Sequence, residues 1–293
     1  MANRKVGLLG ATSFVGDQLI RLLAAEGVQT YAFSRRLPAS PTSVAVWRQL
    51  TPTAVAAVAA DDRIEEWVCV APIWVLPEHF ALFEASGARR IVALSSTSRF
   101  TKTDSSDAAE NAVAKLLIEN EERLQAWAQS KGIEWVILRP TLIYGLGQDK
   151  NIAEIARFIR RFGFFPLFGK AMGLRQPIHV EDVASACIAA LNSPSAVNHD
   201  YNISGGETLS YREMVGRVFG ALQRRPRMVT IPLAVFELAV ACVRVLPRYR
   251  RWSAAMAERM NRNMVFDHSD AARDFGFKPR AFHLAPQAHC KKP

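Results

Sequence analysis

The run Val6-Gly7-Leu8-Leu9-Gly10-Ala11-Thr12-Ser13-Phe14-Val15-Gly16-Asp17-Gln18-Leu19-Ile20 constrains this chain more than any other stretch. An apolar segment of strand length meets a glycine turn, and an amphipathic helix pattern follows at once. That junction belongs to the βαβ unit of a parallel sheet. Gly7, Gly10 and Gly16 let the backbone turn tightly and approach a pyrophosphate, whose charge is met by the amides and dipole of a helix N-terminus. An ordinary strand-to-helix turn uses the same residue types, so the glycines alone leave both readings open.

Alternation continues through the first half. The pattern predicts strands over 6–10, 29–34, 44–47, 66–71, 90–95 and 135–138, with helices over 17–26, 78–85 and 110–131. After Arg139-Pro140 the rhythm changes to helices over 151–162 and 180–191 with a loop and strand region over 166–178. This change predicts a smaller C-terminal lobe closing over the carboxyl edge of the sheet. At 293 residues, 49% apolar and 22% charged, disorder, collagen and a small disulfide scaffold are excluded. Cys69, Cys187, Cys242 and Cys290 form no ligand-spaced cluster, which predicts free thiols in a reducing compartment and no metal site. The N-terminus passes directly into the first strand without the apolar stretch of a signal peptide, so a cytoplasmic location is expected.

The charge balance, 37 basic minus 27 acidic residues, is +10 and calls for anionic partners. Part of it sits at the end of the second strand, Ser34-Arg35-Arg36, where no carboxylate is present to accept a ribose 2′-hydroxyl. Two guanidinium groups suit a 2′-phosphate through bidentate, charge-assisted contacts, so NADP(H) is expected over NAD(H). A solvated basic turn is the plain alternative. No nucleic-acid recognition motif accompanies the charge, and no nucleic acid partner is expected. Residues 233–246 read as a helix apolar nearly all round, interrupted by Glu237 and Arg244. It is flanked by Arg224, Arg225 and Arg227 on one side and Arg248, Arg250 and Arg251 on the other. A peripheral membrane contact through 224–251, packing inside the lobe and a homodimer contact all remain open.

Five motifs in order make the chain resemble an atypical extended short-chain dehydrogenase/reductase, close to the NAD(P)-dependent nucleoside-diphosphate-sugar epimerase/dehydratase group. The glycine fingerprint GxxGxxG reads Gly10-Ala11-Thr12-Ser13-Phe14-Val15-Gly16, with Ser13 in place of the middle glycine. A hydroxyl-ended strand reads Arg90-Ile91-Val92-Ala93-Leu94-Ser95-Ser96-Thr97, and Arg139-Pro140-Thr141-Leu142-Ile143-Tyr144-Gly145 is similar to RPxxxYG. Pro166-Leu167-Phe168-Gly169 is followed by Arg175-Gln176-Pro177-Ile178-His179-Val180-Glu181-Asp182-Val183-Ala184. The fifth motif, Tyr-x-x-x-Lys, reads Asn111-Ala112-Val113-Ala114-Lys115, so the lysine is present and the tyrosine is not.

Over roughly residues 5 to 220, the resemblance implies a Rossmann-type α/β fold, a doubly wound parallel sheet with a smaller C-terminal substrate lobe. The binding domain would span 1–150 with 176–204 returning to it, and the lobe 151–175 and 205–293. Thr97 and Lys115 are then the implied catalytic residues, with Asn111 in the tyrosine's place. Asparagine has no accessible titration near neutral pH, so the proton donor is unassigned. The implied cofactor residues are Gly10, Thr12, Ser13, Phe14, Val15, Gly16, Ser34, Arg35, Arg36, Ala71, Ser95 and Lys115. Arg175 would hold a substrate diphosphate and Phe168 would cover its base, while His179 and Asp182 read as structural. The implied activity is hydride transfer on a nucleotide-linked sugar or similar anionic small molecule. The alternative is a catalytically silent NADP(H)-binding protein serving as a sensor or assembly subunit.

Overall fold

The computed structural model describes residues 4–50, 63–103, 107–145, 147, 149, 151–234 and 254–285. Seven strands form one parallel sheet: β1 (Lys5–Leu9), β2 (Gln29–Ser34), β3 (Ala45–Gln49), β4 (Glu66–Cys69), β5 (Arg90–Leu94), β6 (Glu134–Pro140) and β11 (His199–Ile203). Their order is β11-β6-β5-β4-β1-β2-β3. From β1 the chain winds outward through β2 and β3, then crosses back to β4 and winds the other way. The reversal leaves a crevice outside the carboxyl ends of β1 and β4, the place where open α/β sheets bind ligands.

Helices cover both faces. On one, α1 (Phe14–Ala25) and α6 (Val180–Asn192) pack Leu19, Leu23, Val183 and Cys187 against Val6, Leu8, Val68 and Val92. On the other, a 3-10 turn (Ile73–His79), α2 (Phe80–Ala85) and α4 (Ala108–Lys131) cover Trp67, Ile91 and Ile137. The helix expected over 78–85 is thus split, because Pro77 lies inside the 3-10 turn and α2 starts only at Phe80. Trp67 is fully buried, its ring 5.0 Å from that of Phe33 and 4.8 Å from that of Phe83. A Cβ at residue 7 would lie 2.5 Å from the Trp67 ring, so Gly7 serves the core rather than the glycine turn.

A short α3 (Ser98–Thr101) follows β5, and two small strand pairs, β7 (Ile143–Tyr144) with β10 (Ile178–His179) and β9 (Leu174–Arg175) with β12 (Leu209–Ser210), lead into the lobe. The lobe is built from α5 (Ile152–Phe162), β8 (Phe165–Phe168), α7 (Tyr211–Ala221), β13 (Met228–Ile231) and α8 (Ala254–Asn261). Ile155, Ile159, Leu167, Val215 and Phe219 form its core. Ser210 and Glu213 close a reciprocal capping box at the start of α7, which satisfies its first amides. The chain then returns to the sheet. In α9 (Ser269–Phe275) and just beyond, Ala271 and Phe277 join the core under α6. The Tyr201 hydroxyl donates to Asp274 at 2.8 Å. Residues 269–277 therefore pack on the sheet domain, which corrects their assignment to the lobe.

No described helix is long and apolar enough to cross a membrane. Most of the apolar helix read over 233–246, with Arg244, Arg248, Arg250, Arg251, Cys242 and Cys290, lies outside the described residues. Cys69 and Cys187 are buried free thiols, and burial pushes Cys187 up to about 12.

Candidate functional site

Gly10, at the tip of β1, takes φ +86°, and a Cβ there would sit 2.5 Å from the Ala71 amide nitrogen beyond β4. Only glycine permits that approach. At Gly16 a Cβ would fall 2.5 Å from the Gly10 carbonyl oxygen, so the turn and the first turn of α1 are pressed together. Ser13, standing where the fingerprint has glycine, is the N-cap of α1: its Oγ accepts from the Gly16 amide at 3.1 Å. That leaves the Phe14 and Val15 amides at the helix N-terminus for an anion. Thr12 Oγ1 lies 3.3 Å from Ser34 Oγ, and Ser34 donates to the Arg36 carbonyl at 2.8 Å. Arg35 and Arg36 are exposed, with no ion pair among the described residues. A tight glycine turn and a helix N-terminus with free amides are features that could hold a dinucleotide pyrophosphate.

Between the carboxyl edge of the sheet and the lobe lies a cavity of about 710 Å³, whose lining includes no residue of the glycine turn. Thr97 lines it, with its hydroxyl donating to the Pro140 carbonyl at 3.2 Å. Ser96 also lines it, whereas Ser95 is turned into the protein and donates to Glu121. Arg175 also lines the cavity and is 5% exposed. Its Nη1 donates to the Leu174 and Arg262 carbonyls at 2.7 and 2.8 Å, and its Nη2 to the Arg259 carbonyl. The guanidinium carbon lies 5.6 Å from the Tyr211 ring centroid. No carboxylate among the described residues pairs with it. Burial pushes its pKa down to about 10, with Tyr211 opposing and Arg259 adding to the shift. The group stays charged at neutral pH, so the cavity wall carries a cation whose partners among the described residues are carbonyl oxygens and the Tyr211 ring.

Lys102 and Arg259 add positive charge to the same cavity and share Glu110, which lies 3.9 Å from Lys102 Nζ and is ion-paired with Arg259. Glu110 thereby ties the start of α4 to α8 in the lobe. Tyr211 lines the cavity with its hydroxyl pKa pushed up to about 12 by burial, against the lowering effect of Arg175 and Arg259. Phe158, Phe165, Phe266, Met214, Met260 and Met264 supply apolar wall.

Three more residues assigned to the site by resemblance, besides Ser95, are placed outside the cavity lining. Phe168 is 2% exposed inside the lobe core, so the aromatic wall comes from Phe158, Phe165 and Phe266 instead. Lys115 does not line the cavity; its side chain is 77% exposed and 3.7 Å from Glu119 on its own helix. The rotation of α4 is the reason. The Glu121 carboxylate, 1% exposed, is gripped by Arg139 at 2.6 Å and by Arg99, and that grip turns Leu117 and Leu124 inward and Lys115 outward. Burial opposes the Arg139 charge, but Glu121 and Asp200 outweigh it and hold its pKa above the ordinary value. Asn111 is half-buried on the first turns of α4 and also lies outside the cavity lining.

His179 caps α6, its Nδ1 accepting from the Glu181 amide at 3.3 Å, and burial lowers its pKa. Asp182 accepts from the backbone and side chain of Arg280 at 2.9 and 2.8 Å. The Tyr144 hydroxyl accepts from the His283 amide at 3.2 Å. All three fasten elements together. Among the described residues no group of three His, Cys, Asp or Glu side chains could hold a metal ion.

Residues 80–204 match the model of the NAD dependent epimerase/dehydratase family. A UDP-glucose 4-epimerase of Vibrio cholerae is 26% identical over 137 residues, 47% of this chain and 42% of that protein. An Arabidopsis thaliana protein, NADH dehydrogenase [ubiquinone] 1 alpha subcomplex subunit 9, mitochondrial, is 28% identical over 109 residues, 37% of this chain and 27% of that one. In both cases the match spans less than half of the relative's length. The solved structure of MoeE5 in complex with UDP-glucose and NAD is 21% identical, covers 95% of this chain and 94% of that one, and superimposes with a TM-score of 0.69. Such neighbours share the Rossmann-type fold and bind NAD and nucleotide sugars. Over residues 80–204 the chain is similar to the NAD dependent epimerase/dehydratase family, and it carries Asn111 four residues before Lys115.

Proposed function

We propose that the protein binds NADP(H) in preference to NAD(H) and acts as an epimerase- or reductase-like enzyme on a nucleotide-linked sugar or similar anionic substrate. The observation that carries this reading is Arg175: a buried cation with no carboxylate partner among the described residues, lining the same cavity as Thr97. An unpaired buried charge is costly, and an anionic ligand compensates it. Arg175 keeps one Nη2 hydrogen and its Nε hydrogen beyond its three carbonyl bonds, enough for a two-pronged contact to phosphate. At the cofactor end, Gly10 and the Phe14 and Val15 amides take the pyrophosphate, and Arg35 and Arg36 take the 2′-phosphate. A bound nicotinamide supplies a hydride acceptor or donor; Thr97 orients the reacting oxygen and Arg175 anchors the far end of the substrate. Titration with NADPH and NADH, followed by nicotinamide fluorescence, tests the cofactor half. Arg35→Ala/Arg36→Ala is expected to weaken NADPH roughly 10-fold or more while leaving NADH unchanged. Equal affinity of the unaltered protein for both nucleotides refutes the preference. Loss of nicotinamide absorbance on adding a nucleotide sugar tests the substrate half.

A second reading rests on the position of Lys115 and on the absence of the tyrosine. In the cavity wall burial moves the Tyr211 hydroxyl pKa up, away from neutrality, and Arg175, lowered to about 10, remains a cation at pH 7. A protein of this kind that binds NADP(H) without turning over any substrate serves as a sensor or assembly subunit. Similarity to a protein named as a subunit of an NADH dehydrogenase supports that reading. Bound NADPH that is never consumed across a panel of nucleotide sugars favours it over catalysis.

A further inference from the structure

Two arginine groups far apart in sequence meet on the lobe. Arg157, Arg160 and Arg161 stand on the exposed side of α5, opposite the buried Ile152, Ile155 and Ile159. Arg224, Arg225 and Arg227 follow α7 and are exposed as well. The connection is direct: Arg224 Nη1 donates to the Ile159 and Arg160 carbonyls at 2.9 and 3.4 Å, and the Phe165 amide donates to the Arg227 carbonyl at 2.9 Å.

Between the two groups the chain exposes aromatic rings. Phe162 is 52% exposed and Phe164 36%. The Phe158 ring lies 4.6 Å from that of Phe162 and 5.8 Å from that of Phe164, and Arg161 sits 5.3 Å over the Phe162 ring. Among the described residues, the acidic partner found in this patch is Glu154, 3.6 Å from Arg157, with both side chains 66% exposed. Basic groups around a knob of packed phenylalanines match the chemistry of an anionic bilayer surface, where rings enter the headgroup layer and guanidiniums meet lipid phosphates. Single-stranded nucleic acid is recognised by rings splayed to stack on successive bases; here the rings pack on one another.

From this juxtaposition we infer that the lobe docks on anionic membrane through Phe162 and Phe164, ringed by the arginines of α5 and of the segment before β13. Phe158 belongs both to this knob and to the wall of the cavity that holds Arg175, so docking places the cavity beside the bilayer.

Vesicle flotation tests the inference. Full-length protein is mixed with neutral phosphatidylcholine vesicles or with vesicles carrying roughly 30% phosphatidylglycerol, at low and at high salt. Flotation with the anionic vesicles at low salt, and its loss at high salt or on neutral vesicles, is expected. Arg161→Gln/Arg225→Gln/Arg227→Gln is expected to weaken binding on the order of 100-fold, and Phe162→Ala/Phe164→Ala to reduce it as well. Unchanged NADPH affinity and thermal unfolding in both variants confirm that the fold and the cofactor reading stand apart from the result. No flotation with anionic vesicles, equal flotation of either variant, or tighter binding of a single-stranded oligonucleotide than of vesicles overturns the inference.

Discussion

Replacing Arg175 by methionine separates what the residue does for the fold from what it does for a ligand. The guanidinium is 5% exposed, and its pKa is depressed from 12.5 to about 10. At about 1.4 kcal/mol per pKa unit, holding this charge in the wall costs roughly 3 kcal/mol. Against it stand three bonds to carbonyl oxygens of Leu174, Arg262 and Arg259, each contributing about 1.5 kcal/mol from a charged donor. Methionine relieves the first quantity, forfeits the second, and keeps an apolar stem against Tyr211. The two nearly cancel, so Arg175→Met is expected to change stability by no more than about 2 kcal/mol. Ligand binding does not cancel: losing a charged pair to phosphate costs about 1.5–3 kcal/mol, or roughly 10- to 150-fold in affinity. The assay is thermal unfolding with and without UDP-glucose. At a ligand concentration of about 100 Kd for the unaltered protein, stabilisation is about 2.7 kcal/mol; a 100-fold weaker variant retains about 0.4 kcal/mol. Equal stabilisation of the two proteins would refute Arg175 as the anion site. A loss of more than about 4 kcal/mol without ligand would show that the buried charge is compensated, contrary to the geometry.

Three further outcomes follow from the same contacts. Glu121→Gln leaves Arg139 buried and without its main counter-charge, so chemical denaturation is expected to show a loss of about 3–5 kcal/mol, part of which Glu121→Leu/Arg139→Met recovers. Gly16→Ala drives a Cβ to 2.5 Å from the Gly10 carbonyl, and weaker NADPH binding is expected alongside a lower melting temperature. His179 has a folded pKa lowered by burial, so the unfolded chain takes up its proton first. Its contribution to stability is complete above the ordinary value of about 6.5 and falls as pH drops through that value toward the folded one, by at most about 1.4 kcal/mol per pH unit. His179→Asn, which keeps a capping acceptor, is expected to flatten that slope in denaturation curves taken from neutral to mildly acidic pH.

The sheet was legible because its signal is local. The strand at 90–95 announces itself as an apolar run with β-branched residues and the one at 29–34 as aromatic and small residues after the turn at Gly27, and β5 and β2 fall on them to within one residue. β11 carries no such run: His-Asp-Tyr-Asn-Ile buries only Tyr201 and Ile203, and it becomes a strand by pairing with β6 from Val136 to Pro140. The return of α9 to the sheet was hidden for the same reason, since Tyr201 and Asp274 stand far apart in the chain and meet only in three dimensions.

The candidate site divides along the same line. Spacing points to Gly10 and Gly16, and the structure demands glycine at both: at Gly16 through backbone a few residues away, at Gly10 through the chain beyond β4, while Ser13 is explained by local logic as a helix cap. Lys115 is different. A spacing of four places two side chains on one helical face, but it does not say which way that face points. Orientation is set by Glu121, whose partners Arg99 and Arg139 come from a turn beyond β5 and from β6. A glutamate within the run Glu119-Asn120-Glu121-Glu122 looks like one more solvated charge. Its counter-charges could have identified it only in combination: Arg139 lies at the end of a strand read as buried, where a cation requires a carboxylate. Arg175 is singled out by resemblance, with no acidic residue close to it in sequence, and among the described residues the fold pairs no carboxylate with it. Burial without a counter-charge is the one property of this site that distance along the chain could suggest and that only packing could convert into an energy.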